Sequence, residues 1–317
     1  MKSIKAFLKL VEIKTKVASV FPLLLGTIIA YTVKESIDLI NFFIMGLSLL
    51  CIDLATTGFN HYYDYKRALL KSGYHYEEHN PLSAGEIKPK TAVYLLSGIV
   101  LLGIVAGLLL VLRTDAVVLA LGAVSFAVGL GYSMGPLPIS RTILGEVTSG
   151  LFMGGLIPFI AFYIQLEPGM LGALQRSPGV FSASLNTEAW LPILFGAVPM
   201  ILFIADIMLA NNLCDAEEDI LNKRYTLPVS IGRKKAVWLF KGLVYAALFS
   251  VPVAVLVKAL PWTYILALLM APKILKQTQQ FAKNPVKALT FKYAVKNMFL
   301  FSLAAISSLI LGLFFQH

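Results

Sequence analysis

The chain has 317 residues, 58% of them hydrophobic and only 14% charged, where an ordinary soluble domain carries about 25% charged residues. A mean hydropathy of +0.78 and apolar blocks of about twenty residues exclude a soluble globular domain and point to helices that span hydrocarbon. The net charge of +10 would suit nucleic acid, but the basic residues gather between apolar blocks, so a lipid bilayer rather than a nucleic acid is the expected partner.

The opening MKSIKAFLKLVEIKTK carries charges too deep for a cleavable signal peptide, and no small-residue cleavage site follows. Apolar runs then predict nine spans, at about 17–33, 39–61, 92–112, 115–133, 143–165, 189–211, 236–257, 261–275 and 296–316, the eighth being short. Nine crossings put the termini on opposite sides. Most of the 27 basic residues fall on the side of the N-terminus: in the opening segment, from Lys66 to Lys90, at Arg141, from Lys223 to Lys235, and from Lys273 to Lys296. The positive-inside rule therefore places the N-terminus in the cytoplasm and the C-terminus outside. Turns on the other side are brief, apart from the Gly/Pro/Ser-bearing Leu166–Glu188. Cys51 and Cys214 offer neither a disulfide framework nor metal spacing and read as packing residues. The expected fold is an all-α membrane protein with about nine transmembrane helices bundled around a central cavity. It is expected to be one domain over 1–317, in the plasma membrane, with similar halves at roughly 1–140 and 141–317.

The cationic side also gathers acids, among them Asp64, Glu86, Glu146, Asp215, Glu217, Glu218 and Asp219. A face meant only for solvation has no need of them. Acids that hold a divalent cation, beside bases that meet phosphate oxygens, explain the mixture. Asn211, Asp215 and Asp219 stand at i, i+4 and i+8, one face of a helix that continues the apolar run Leu191–Ala210. Asn212 reaches the same face. The bland reading is a solvated helix end whose acids are balanced by Lys223 and Arg224. Asn60 and Asp64 repeat the spacing at the end of another apolar run, with Ala68 one turn on, where nothing can coordinate. Around them Tyr62, Tyr63 and Tyr65 read either as an interfacial belt or as a wall that tolerates an allylic cation.

Between these two stretches lies Tyr132–Glu146, whose prolines and glycines stop a helix and shape a rigid turn. A turn alone does not require Tyr132, Arg141 and Glu146 together. Arg141 is suited to forking onto phosphate oxygens, and Glu146 to binding an acceptor or taking a proton. A rival pattern, His75-Tyr-Glu-Glu78-His79, fits an inverted zinc-protease motif. Gly73 before it and Asn80-Pro81 after it deny the continuous helix it needs, so a polar loop over the site is preferred. A transporter is disfavoured because the acids cluster at helix ends rather than at mid-membrane.

In four segments the chain resembles the UbiA superfamily of intramembrane prenyltransferases, and most of all its 1,4-dihydroxy-2-naphthoate polyprenyltransferases. They are Lys14-Thr15 with Pro22-x-x-x-Gly26; Asn60-x-Tyr-Tyr-Asp64 with Asn80-Pro-Leu-Ser-Ala-Gly85; Tyr132–Glu146; and Asn211-Asn-Leu-x-Asp215-x-Glu-Glu-Asp219 with Arg224-x-Thr226 and Gly232-Arg233. The last is the most specific. The resemblance implies that Asn60, Asp64, Asp215 and Asp219 hold two Mg²⁺ ions on the diphosphate of a polyprenyl donor. It implies that Lys14, Arg141, Lys223 and Arg233 meet the phosphate oxygens, and that Tyr132 steadies the allylic cation formed before an aromatic acceptor attacks. The chain departs from the family pattern at His61, where an acid is usual, and at Ala68 and Leu70, where a further Asp is absent.

Overall fold

The structure, a computed structural model, describes residues 2–67, 80–135, 138–177 and 180–315. It is a helical bundle: α1 (Lys2–Leu10), α2 (Val17–Lys34), α3 (Leu39–Arg67), α4 (Pro89–Arg113), α5 (Ala116–Ser133), α6 (Gly145–Ser149), a π-helical turn (Gly150–Leu156) and α7 (Ile157–Tyr163). Then come α8 (Thr187–Cys214), α9 (Ala216–Leu221), α10 (Leu227–Ile231), α11 (Arg233–Leu256), a 3₁₀ stretch (Trp262–Met270), α12 (Ala271–Lys283) and α13 (Lys292–Leu313). Among the described residues eight helical passages are long and apolar enough to cross a membrane, counting Gly145–Tyr163 as one.

The eighth expected span, 261–275, is not a single helix. Trp262 lines a recess at one end of the bundle with Thr32, Val33 and Pro192, whereas Pro285–Ala288 line a cavity at the other. The chain makes that return as Trp262–Met270 followed by α12. Pro261 and Pro272 lack amide donors, and Lys273, Lys276 and the glutamines of α12 end the apolar run early, so hydropathy shows only a stub. The long far-side segment is also more ordered than its composition suggested. Gly172–Ser177 and Val180–Leu185 pair as an antiparallel hairpin, Gly172 opposite Leu185.

The most buried of the eight passages is α8, and α2, the π-helical turn, α11 and α13 pack against it. Its Ile193, Met200 and Phe203 meet Leu25 and Ile29 of α2, Val244 and Val251 of α11, and Phe301 of α13 in one apolar core. Lipid supplies no hydrophobic drive between helices, so close backbone approach matters. Gly150 and Gly154 provide it: a Cβ would fall 2.7 Å from the Ile201 carbonyl oxygen at the first and 2.5 Å from the Ile201 Cα at the second. Outward side chains such as Phe43, Leu101, Leu112 and Phe249 are apolar and exposed, as lipid contact requires.

Among the ionisable groups inside the bundle, Lys16 and Asp53 form an ion pair. Lys16, at the start of α2, donates to Asp53 of α3 at 2.8 Å and to Thr57 at 2.6 Å, and Ser19 donates to the other Asp53 oxygen. Pairing is what lets both ions stay there. The network fastens α2 to α3, whose far end carries Asp64.

Candidate active site

The end of α8 does not continue smoothly through its acidic face. Asp215 leaves the helical conformation (φ −97, ψ 3) and serves as the N-cap position of α9. Two backbone bonds keep the i, i+4 spacing across the break: Asp215 to Asn211 at 3.2 Å and Asp219 to Asp215 at 2.8 Å. Lys223, in the left-handed region at φ 53, ends the segment. The chain then turns back so that the Arg224 amide donates to the Asp219 carbonyl and the Tyr225 amide to the Arg141 carbonyl, at 2.8 and 3.1 Å.

This return brings the acidic stretches together. The Arg224 guanidinium reaches Asp64 at 3.8 Å and Asp219 at 3.3 Å, so one cation bridges the end of α3 and α9. Arg141 approaches the other Asp64 oxygen at 3.8 Å and donates to the Asn222 carbonyl at 2.6 Å. Asp215 is paired with Lys287, from the loop between α12 and α13. All of these groups line one cavity of about 360 Å³, along with His61, Glu217, Glu218 and Arg233. Asp219 is buried and accepts from Thr226 at 3.1 Å. Burial pushes its pKa up to about 6; Asp215 and Asp64 add to the rise, while Arg224 and the Thr226 hydrogen bond oppose it.

The other expected residues lie around this cavity at varying distance. Asn60 is half-buried one turn before Asp64 and accepts from Ser133 at 3.3 Å. Asn211 precedes Asp215 by one turn, and its neighbour Asn212 is turned to Glu146, donating at 2.9 Å. Glu146 is buried, and its Oε2 has no hydrogen-bond partner among the described residues. On the same helical face, Ser149 donates to the Tyr132 hydroxyl at 3.2 Å, which donates to the Met208 sulfur at 3.3 Å. Arg233 reaches Glu217 at 4.0 Å with both side chains largely exposed, a pair that contributes little. The Lys223 side chain is exposed and is not among the cavity-lining residues; Arg224 stands there instead. His61 is turned to Glu12 at 3.0 Å. The Lys14 side chain lies outside the described residues, as do Ala68, Leu70, Glu77, Glu78 and the whole of His75–His79.

Two residues emerge that pattern-reading passed over. Arg224 reads from the sequence as a counter-charge and as part of the motif with Thr226, with no role of its own at the site. Lys287 had no local signal: it is one lysine among several in a basic stretch, and only the return of the chain through α12 places it against Asp215.

The profile of the UbiA prenyltransferase family matches residues 19–303, nearly the whole chain. The chain belongs to the UbiA prenyltransferase family. The 1,4-dihydroxy-2-naphthoate octaprenyltransferase of Bacillus subtilis (strain 168) is 31% identical over 272 residues, covering 85% of this chain and 80% of the relative. A UbiA homolog from Archaeoglobus fulgidus, solved bound to GPP and Mg²⁺, superposes with a TM-score of 0.63 over 96% of this chain and 99% of that one at 14% identity. The apo structure of a UbiA homolog from Aeropyrum pernix K1 gives a TM-score of 0.68 over 91% of this chain and 97% of that one at 15% identity. This UbiA-family chain is thus a membrane prenyltransferase with the all-helical fold that its sequence predicted.

Proposed function

We propose that the protein transfers a polyprenyl group from polyprenyl diphosphate to the aromatic acceptor 1,4-dihydroxy-2-naphthoate, as a step of menaquinone biosynthesis. The relative from Bacillus subtilis supports prenyl transfer to an aromatic acceptor. The single observation that carries the site is the meeting of Asp64, Asp215 and Asp219 in one cavity lined as well by Arg141, Arg224, Arg233 and Lys287.

The donor set fits Mg²⁺. Among the described residues no three His, Cys, Asp or Glu side chains converge into a complete metal shell. Mg²⁺ asks for less, taking one or two hard carboxylates and leaving the remaining positions to phosphate and water. Asp64 with Asn60, and Asp215 and Asp219 with Asn211, would hold two such ions between them. When bound, Mg²⁺ neutralises the negative charge that develops on the departing diphosphate.

The chain's own groups do the rest. Arg141, Arg224, Arg233 and Lys14 orient the diphosphate by charge-assisted hydrogen bonds. Lys223, exposed outside the cavity, is left as a long-range attractor. The apolar bundle beneath the site receives the isoprenoid tail and excludes water from the allylic carbon. The Tyr132 ring faces the developing positive charge, and its hydroxyl is fixed by Ser149. Glu146, oriented by Asn212, presents its free oxygen to an acceptor hydroxyl. The donor C–O bond breaks with its electron pair leaving on diphosphate, and the ring carbon bearing the carboxylate then forms the new C–C bond with the allylic cation. The electron pair of the carboxylate bond returns to the ring, so CO₂ leaves and a demethylmenaquinone skeleton in its quinol form results. No redox cofactor is needed. The membrane is the plasma membrane and the cavity opens to the cytoplasm, as the basic residues around it suggest.

Purified protein incubated with Mg²⁺, a polyprenyl diphosphate and a panel of aromatic acids tests this reading. Prenylated naphthoquinol should form, with 4-hydroxybenzoate unreacted; the reverse preference would reassign the acceptor. Asp215→Ala and Asp219→Ala should each lower turnover on the order of 10²-fold or more while the protein still inserts. Full activity in both variants would remove the site assignment.

A further inference from the structure

Each of the three motif carboxylates is already held by a cation of the chain: Asp64 and Asp219 by arginines, Asp215 by Lys287. The three cations are not equally free to leave. Arg141 and Arg224 are also anchored on backbone carbonyls, of Asn222 at 2.6 Å and of Ser140 at 3.1 Å. The Lys287 ammonium has no such carbonyl anchor among its described bonds; beyond its ion pair with Asp215 it meets the Phe291 ring, 6.0 Å away, and is attracted by the charge of Glu12. Its backbone, by contrast, is fixed. Thr290 accepts from the Val286 amide at 2.9 Å and donates to the Asn284 carbonyl at 2.6 Å, bracing the loop on both sides of Lys287. The result is a firm base carrying a flexible four-carbon stem, about a third exposed, at the wall of the cavity. An ammonium is a compact charge that donates to carboxylate or phosphate oxygen alike. While it holds Asp215, it competes with any divalent cation for the same oxygen. Displaced, it would keep only the longer-range attraction of Glu12 in a partly buried cavity, which costs free energy unless another anion takes the place of Asp215.

We propose that Lys287 changes partners during substrate binding: it holds Asp215 until a divalent cation takes that carboxylate, and then binds the donor diphosphate. The inference rests on the functional reading above, in that it takes Asp215 as a cation ligand. It adds a residue to the diphosphate site and a coupling between ligands. Cation binding frees the lysine, the diphosphate receives it, and the affinities of the two rise together.

Calorimetry on the full-length protein in detergent, with MgCl₂ alone and with inorganic pyrophosphate at saturating Mg²⁺, separates the possibilities. Lys287→Gln should bind Mg²⁺ alone more tightly than the parent protein, because its competitor is gone. It should bind pyrophosphate more weakly, on the order of tenfold, because a charge-assisted bond is lost. Lys287→Arg, which keeps the charge, should retain most of the pyrophosphate affinity, and matching melting temperatures would establish that both variants fold. Opposite shifts support the proposal. Unchanged affinities, a loss of both, or tighter Mg²⁺ binding with no loss for pyrophosphate would each overturn it while leaving the functional reading intact. Absence of Mg²⁺-dependent pyrophosphate binding by the parent protein would overturn the reading and the proposal together.

Discussion

At Asp219, burial works against ionisation and the fold answers with Arg224 and Thr226. The outcome, a carboxyl near 6, makes a proton the competitor of a divalent cation. Above that pH Asp219 is ionised and ready. Below it the apparent Mg²⁺ affinity should fall by up to about tenfold per pH unit, and a titration series from pH 5 to 8 reads this directly. Folding stability follows the same sign. A carboxyl raised above its unfolded value binds more protons in the folded protein, so without divalent cations stability should decline from about pH 4 to about pH 6. Added Mg²⁺ should remove the decline. Glu146 makes a different prediction, because it stands apart from the cavity that holds the carboxylate motifs. Glu146→Gln keeps an oxygen for Asn212 but turns the free acceptor into a donor. It should reduce kcat on the order of 10²-fold and leave pyrophosphate binding unchanged, a split visible in parallel kinetic and calorimetric measurements.

Among the elements, the contact between the π-helical turn and α8 is the least forgiving. Gly154 sits where a Cβ would press on the Ile201 backbone, and backbone cannot step aside as a flexible side chain can. Gly154→Leu should cost about 1–3 kcal/mol and lower the melting temperature in detergent, whereas the same change at Gly122, with open space around it, should be nearly silent. The long spans were legible because apolar runs of bilayer length have few other readings. The split return through Trp262–Met270 and α12 was legible only as a short run, since α12 is rich in lysine and glutamine. The break at Asp215 escaped because i, i+4 spacing survives it, so the residue pattern looks the same on a continuous helix. The hairpin at 172–185 escaped because a Gly/Ser-bearing segment between spans carries little periodicity. At the site, the paired motifs announced themselves through acids placed where acids are costly. Lys287 did not, since a lysine on the cationic side is the commonplace case and its partner is set by tertiary contact.

For the molecule as a whole, the charge asymmetry makes a claim about sidedness. Single cysteines at the exposed Lys223 and Lys258, in a background lacking Cys51 and Cys214, should react with an impermeant maleimide from opposite sides of sealed vesicles. Position 223 should label from the cytoplasmic face and 258 from the other; labelling of both from one side would refute the assigned orientation. The bundle also shows how a membrane protein lodges ions in its interior. Lys16 and Asp53 are tolerable only as a couple, so losing either one alone strands its mate, at roughly 3–5 kcal/mol. A paired exchange for apolar side chains of similar bulk need not carry that penalty. Among descendants of this chain, therefore, positions 16 and 53 should drift in tandem or stay frozen, because every single-step route between the two workable states crosses a misfolded ancestor.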